Sequence, residues 1–177
     1  DFYWFRRFSS KFILACADCT GHGVPGAFMS MIGSMLLREV SVDKQVNAPD
    51  VLLRNLDDEL RTVLHYQGEE SNHDGMDMSV CEFDLRDRKL RIAAGMHDVL
   101  IVKDGRLIRE RGSRRSIGGP ITSLTKDFGL TEVQLIVGDR VFVFSDGVVD
   151  QLFVQDVSGV TVSGAPAILL ALQGTDA

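Results

Sequence analysis

Hydrophobic and polar positions alternate at the start of the chain and then give way to longer apolar runs, a pattern that predicts strands followed by helices. Residues 1–8 (DFYWFRRF) are rich in aromatics, and residues 11–18 (KFILACAD) form a short apolar run. The SS pair between them is typical of a tight hairpin. The first two segments are therefore predicted to be paired strands, with Asp18 at the far end of the second.

Two amphipathic helices are predicted to follow these strands. Pro25 suits the first turn of a helix, and the bulky residues after it recur at helical spacing. We predict that one buried face of helix 25–40 is formed by Phe28, Met31, Ile32, Met35 and Leu36. Helix 49–66 carries an apolar stripe of Val51, Leu52, Leu56, Leu60 and Leu64. Its solvated face is predicted to hold Asp57, Asp58, Glu59 and Arg61.

The second half of the chain has the pattern of a strand meander. After a polar loop at 66–75, strand-like segments occupy 76–85, 89–95, 98–105, 106–111 and 139–147, and a short apolar helix is predicted at 165–173. The Asp-Gly pair within KDGR is a hairpin signal. Strands, then helices, then strands predict an α+β fold in which antiparallel sheets carry helices on their outer faces.

Composition excludes several classes of protein. With 177 residues, 45% hydrophobic and 25% charged, the chain is the size and type of one globular domain. A net charge of -6 argues against nucleic acid or an anionic membrane as a partner. The basic run at 109–115 is interpreted as a solvated loop. Because the chain opens on DFYWF without an initiator Met, we expect residues 1–177 to be one domain cut from a longer protein.

Three cysteines do not make a disulfide framework. Cys16 and Cys19 form a C-x-x-C, but no second pair completes a zinc site, and in a strand the two side chains would point to opposite faces. Together with Cys81, they are interpreted as small buried residues in a reducing compartment, in preference to a redox or zinc site.

Two acidic residues occupy the same kind of position. Asp18 ends FILACAD just before Gly21-His22-Gly23, and Asp146 ends VFVFSD just before a glycine. Carboxylates held at rigid strand ends, without paired Cys or His, suit Mg²⁺ or Mn²⁺. The alternative is that both residues only cap turns, as Asp-Gly often does.

The motifs DFYWF, ADCTGHGVPGAFMSMIG, DGMDMSVCEFDL, AAG, IGG and GDRVFVFSDGVVDQ occur in one order along the chain. This arrangement resembles the SpoIIE/RsbU type of PPM (PP2C-like) protein serine/threonine phosphatases, over residue 1 to about residue 151. The resemblance implies a four-layer α-β-β-α sandwich of two antiparallel sheets flanked by helices. Its similarity to modules attached to bacterial membrane sensors implies a cytoplasmic domain and is compatible with attachment to an inner-membrane sensor.

The resemblance also implies a site for two Mn²⁺ or Mg²⁺ ions. Asp18 would bridge the two ions, and the backbone carbonyl of Cys19 and the carboxylate of Asp146 would bind one or the other. Asp1 would reach a metal through water. His22 matches a histidine proposed as general acid in related enzymes, although some members of the family lack it.

The implied activity is hydrolysis of phosphoserine or phosphothreonine by a hydroxide that bridges the metals. The implied substrate is a phosphorylated STAS-type (anti-anti-sigma-factor-like) protein of bacterial partner switching, with no nucleic acid and no direct membrane contact; a homodimer is compatible with the resemblance. A rival interpretation is a catalytically silent module that holds a phosphoprotein partner.

The chain departs from the family pattern at its end. The family closes with an Asp-Asp-x-Thr strand that supplies another metal ligand, whereas this chain ends LQGTDA. We therefore expect the C-terminal strand to be missing, with Asp176 folding back into the cleft as the less favoured alternative. Asp77, in DGMDMS, has two open interpretations: it orients metal-bound water, or it bonds its own loop at the start of a strand.

Overall fold

The computed structural model describes residues 1–65, 74–119, 127–151, 153–155 and 161–163. It divides the chain into two compact units, residues 1–143 and 144–177. The predicted loop at 66–75 lies mostly outside the described residues, and the predicted helix at 165–173 lies wholly outside them.

Two antiparallel sheets form the framework of the first unit. The strands, in chain order, are β1 (Phe2–Phe8), β2 (Lys11–Cys19), β3 (Met76–Asp84), β4 (Lys89–Gly95), β5 (Asp98–Lys103), β6 (Arg106–Arg111), β7 (Thr131–Gln134) and β8 (Arg140–Val143). The larger sheet has the order β1-β2-β3-β4-β7 and the smaller sheet the order β6-β5-β8. The α+β class with antiparallel sheets is confirmed.

In the first unit most strand and turn predictions hold, with two exceptions. The β5–β6 hairpin turns on Asp104 and Gly105, whose φ values of 50° and 69° are those that a two-residue turn of this kind requires. Strand β7 was not predicted, although it closes one edge of the larger sheet by pairing with β4. The strand predicted at 139–147 ends at Val143, so it does not reach Asp146.

Two helices cover one face of the larger sheet. Helix α1 spans Gly23–Arg38, continues into a π-helical turn at Glu39–Asp43, and is followed by helix α2 at Pro49–His65. The core beneath them joins Leu37, Leu52, Leu53 and Leu56 of the helical segments to Ile13 and Met78 of the sheet, among others. Burial of such side chains contributes most of the free energy that holds the helices in place.

The opposite face of the larger sheet packs against the smaller sheet. Their shared core contains Cys81, Leu90 and Ile92 from the larger sheet and Val99 and Ile101 from the smaller one. Three layers of the predicted sandwich are thus described in the first unit, namely helices, sheet and sheet.

The predicted buried face of α1 is only partly correct: Leu36 is buried and Ile32 packs against the core, but the other three residues are exposed. Phe28, Met31 and Met35 are 58%, 60% and 69% exposed, whereas the buried residues are Met29, Gly33, Leu36 and Leu37. A Cβ added to Gly33 would lie 2.7 Å from Met76 Cε and 3.0 Å from Phe2 Cζ. The sheet therefore receives the side of the helix that carries the smallest residue, because only that side allows so close an approach.

The described part of the second unit contains one short helix and one hairpin. Helix α3 spans Asp146–Gln151, and strands β9 (Phe153–Gln155) and β10 (Thr161–Ser163) pair antiparallel. Over the described ranges of both units, none of the helices combines the length and the apolar character that crossing a membrane requires.

The revised face of α1 can be tested with one residue type. We expect Met29→Ala to lower the free energy of unfolding by about 2–5 kcal/mol, because it leaves a cavity at a site that is only 5% exposed. Met31→Ala, on the same helix, should change it by no more than about 0.5 kcal/mol. Urea denaturation of both variants measures the two values, and a larger loss for Met31→Ala would restore the face predicted from the sequence.

Candidate metal centre

The turn after β2 fixes the position of Asp18. Asp18 is the penultimate residue of β2 and is half-buried. Gly21 and Gly23, with φ values of 88° and 65°, then reverse the chain into α1, which confirms the predicted glycine turn. Thr20 ties this turn to the start of β3, since its N–H donates to the Gly75 carbonyl at 3.0 Å and its hydroxyl accepts from the Gly75 N–H at 2.9 Å.

Asp1 lies beside Asp18. Phe2 pairs with Ala17 across β1 and β2, which places Asp1 opposite Asp18 at the end of the sheet. A carboxylate oxygen of Asp1 and one of Asp18 lie within 4.8 Å of each other. Two carboxylates this close repel each other unless a cation neutralises them, so the pair is suited to binding a hard divalent ion.

Asp77 extends the same row of carboxylates. It pairs directly with Asp18 across β2 and β3, and directly paired residues in an antiparallel sheet place their side chains on the same face. Its carboxylate accepts a hydrogen bond from the hydroxyl of Ser116, 39 residues further along the chain. Asp77 is thus held by a distant segment, and this contact differs from the bond within its own loop that one interpretation proposed.

His22 occupies the N-cap position of α1. It has an extended backbone conformation (φ −130°, ψ 165°), and its side chain makes no capping hydrogen bond. The imidazole is exposed, four residues after Asp18 along the chain.

Two of the three cysteines are buried, and Cys16 is half-buried. Cys19 ends β2 and belongs to the core under the helices, whereas Cys81 belongs to the core between the sheets. Burial raises the pKa of all three thiols, that of Cys81 to about 12. Protonated, buried thiols are poor metal ligands and poor nucleophiles, which supports the structural interpretation of Cys16 and Cys19.

Two further predicted ligands lie in the second unit. Asp146 is the first residue of α3 and is exposed. It therefore starts a helix three residues after the end of the strand that it was predicted to terminate. Asp176 lies outside the described residues.

Sequence reasoning misplaced Asp57. Predicted on the solvated face of α2, it is only 2% exposed and forms ion pairs with Arg61 and Arg115. Arg115 is itself 7% exposed, so it is not part of a solvated basic loop. The signal was present, because Asp57 follows Leu53 by four residues and precedes Leu60 by three, which is the spacing of the buried stripe.

The sequence model of the family "Stage II sporulation protein E (SpoIIE)" matches residues 9–172. The chain belongs to the SpoIIE family. Its domain is of the SpoIIE (PP2C) type, and its fold matches the SiaA-PP2C, SpoIIE and RsbU domains. No curated protein sequence matches the chain significantly.

Solved structures share the fold of this SpoIIE-family chain. The SiaA-PP2C domain of Pseudomonas aeruginosa matches with a TM-score of 0.80 and 25% identity, over 97% of this chain and 64% of that one. The PP2C domain of SpoIIE from Bacillus subtilis was solved with a fragment of its regulatory domain. It matches with a TM-score of 0.67 and 18% identity, over 99% of this chain and 47% of that one. The RsbU and RsbW domains of a Mycobacterium tuberculosis protein match with a TM-score of 0.62 and 20% identity, over 89% of this chain and 42% of that one. The chain thus spans less than two thirds of each of these structures.

A metal titration tests the Asp1–Asp18 pair without reference to catalysis. We expect Mn²⁺ to raise the melting temperature of the wild type, since a ligand at 100 times its Kd stabilises by about 2.7 kcal/mol. Without metal, the melting temperature of Asp18→Asn should be no lower than that of the wild type, because the substitution removes the repulsion between the Asp1 and Asp18 carboxylates. Mn²⁺ should not raise the melting temperature of this variant.

Asp104→Asn is the matched control for this titration. It removes the same charge from an exposed hairpin where the backbone conformation also suits Asn. If Mn²⁺ raised the melting temperature of Asp18→Asn as much as that of Asp104→Asn, Asp18 would not be a metal ligand.

Proposed function

We propose that this chain is a Mn²⁺- or Mg²⁺-dependent protein phosphatase that hydrolyses phosphoserine or phosphothreonine on a protein. The observation that carries the proposal is the pair of carboxylates, Asp1 and Asp18, within 4.8 Å of each other at the strand end of a SpoIIE-family domain. A concentrated negative charge at an open strand end suits a divalent cation, and cations attract a phosphate dianion.

The oxygen donors of these residues fit divalent ions. Asp18 and the Cys19 backbone carbonyl would hold two such ions, Asp1 would reach a metal through water, and Asp146 is proposed as a further carboxylate. All of these ligands are oxygens, which is the donor set that Mg²⁺ and Mn²⁺ prefer. When bound, such ions activate water as a nucleophile and offset the charge that develops on the phosphoryl group.

Metal binding by relatives supports this choice of ions. The catalytic domain of the serine/threonine phosphatase PstP was solved with two manganese ions, and it matches this chain with a TM-score of 0.53 and 14% identity. RsbX was solved with magnesium and matches with a TM-score of 0.60 and 13% identity. These matches support the fold, and the ions are carried over to this chain as part of the proposal.

His22 is the residue we propose as proton donor. A serine alkoxide leaves phosphorus poorly unless it gains a proton as the P–O bond breaks. The exposed imidazole at the start of α1 lies close in sequence to Asp18 and is not engaged in capping its helix. We propose that it holds the proton which the leaving oxygen takes up.

The proposed substrate is a phosphorylated STAS-type regulator in the cytoplasm. Support comes from the relatives, which include RsbU and RsbW domains and a protein of the bacterial stressosome, with TM-scores of 0.62 and 0.64. The net charge of -6 is consistent with a protein partner and does not favour nucleic acid.

The rival function is a silent module that binds a phosphoprotein without turnover. It predicts that Mn²⁺ and a phosphoprotein bind while no phosphate is released, so phosphate release decides between the two.

The metal carboxylates give the first test of activity. Asp18→Asn and Asp146→Asn should each abolish Mn²⁺-dependent hydrolysis of p-nitrophenyl phosphate, because each removes a charged ligand that water cannot replace. Asp104→Asn should retain wild-type turnover. Near-normal rates at saturating Mn²⁺ in either site variant would refute the assignment of that residue.

His22 is tested by comparing two leaving groups. We expect His22→Ala to lower kcat on the order of 10²–10⁴-fold with a phosphoserine protein. The loss should be much smaller with p-nitrophenyl phosphate, because p-nitrophenolate leaves without prior protonation. Equal losses on both substrates would show instead that His22 supports the structure of the turn.

A further inference from the structure

Asp57 is a buried carboxylate with two partners that are distant in sequence, Gly118 and Arg115, and a third, Arg61, on its own helix. One of its oxygens accepts a hydrogen bond from the Gly118 N–H at 2.7 Å, and the other contacts the Arg61 guanidinium at 3.1 Å and that of Arg115. Asp57 and Arg115 are 2% and 7% exposed. A charge buried this deeply requires such partners, because losing one leaves an uncompensated charge away from water.

The same contacts fix the segment 115–119 to α2. Arg61 donates to the Gly119 carbonyl, and the Arg115 guanidinium also lies over the ring of Phe128, 5.0 Å from its centroid. The α2 helix therefore holds this segment through two charged side chains and one backbone N–H. None of these contacts belongs to the predicted apolar stripe of α2.

The anchored segment also reaches the row of carboxylates. Ile117 and Met76 exchange two backbone hydrogen bonds, of 2.8 and 2.9 Å, which join the segment to the start of β3. Beside this bridge, the Ser116 hydroxyl donates to the Asp77 carboxylate. Asp77 in turn pairs directly with Asp18 across β2 and β3.

We propose that Asp57 is a positioning residue for the metal centre: it fixes segment 115–119 so that Ser116 holds Asp77 beside Asp18. The proposal rests on the proposed function only in taking Asp18 as a metal ligand. Groups that hold the neighbours of metal ligands tune metal affinity without touching the ion. Asp57 would act in this way from a helix that contributes no ligand.

Calorimetric titration with Mn²⁺ alone tests the proposal, since it needs no catalytic turnover. Asp57→Asn keeps an oxygen for the Gly118 N–H but removes the charge that pairs with both arginines. We expect it to raise the Kd for Mn²⁺ by roughly 2- to 30-fold. Asp58→Asn makes the same change at the next, exposed position of α2, and it should leave the Kd within about twofold of wild type.

Ser116→Ala tests the next contact, the hydrogen bond from Ser116 to Asp77. It still tests the proposal if Asp57→Asn fails to fold. It should also weaken Mn²⁺ binding, because it releases the Asp77 carboxylate. If Asp57 acts through Ser116, the double variant should bind Mn²⁺ no more weakly than the weaker single variant. Fully additive effects would mean two independent contributions and would overturn the proposed route.

A purely structural role gives a different result. In that case Asp57→Asn would lower the free energy of unfolding in urea while Mn²⁺ affinity in the folded protein stayed at the wild-type value, and the proposal would be wrong. A wild type that binds no Mn²⁺ would overturn it as well. A wild type that binds Mn²⁺ but releases no phosphate would refute the proposed phosphatase function, while the affinities would still decide the role of Asp57.

Discussion

The register of three neighbouring strands is the constraint on which the rest of the structure depends. Because Phe2 pairs with Ala17, and Asp18 with Asp77, three acidic residues come into one row at the end of the larger sheet. A shift of one residue in either pairing would send part of this row to the opposite face of the sheet. The same register sets Ile13, Ala15 and Ala17 beneath the helices, so the core and the site cannot be changed independently.

A row of like charges at a strand end opposes folding, and the surrounding structure offsets this cost. The two apolar cores, one under α1 and α2 and one between the sheets, keep the strands in register. The hydrogen bonds between Thr20 and Gly75 hold the ends of β2 and β3 together close to the paired Asp18 and Asp77. Strain held at a site by a packed framework is a common arrangement where a cation is to be bound.

The buried charge of Asp57 shows that polar contacts can select one particular neighbouring segment, which apolar packing does not. Leu52, Leu56 and Leu60 hold α2 against the sheet without directional preference. The contacts of Asp57 with Gly118 and Arg115 are directional, and they connect α2 to one particular segment. This difference explains why a carboxylate is found within an otherwise apolar stripe.

The sequence by itself determined most of the elements and led to the proposed chemistry of the site. Alternation identified β1 to β6, helical spacing identified α1 and α2, and the glycines around His22 identified the turn after Asp18, because each of these signals depends on neighbouring residues only. The short strand β7 was not predicted, because four residues are too few to show a clear alternation of hydrophobic and polar positions. Tertiary structure alone decided which side of α1 is buried, since that helix has apolar residues on two sides and only the fit of Gly33 against Phe2 and Met76 selects one. It also decided that Asp57 is buried, because its partner Arg115 lies 58 residues away, and no local pattern can pair two charges across that distance.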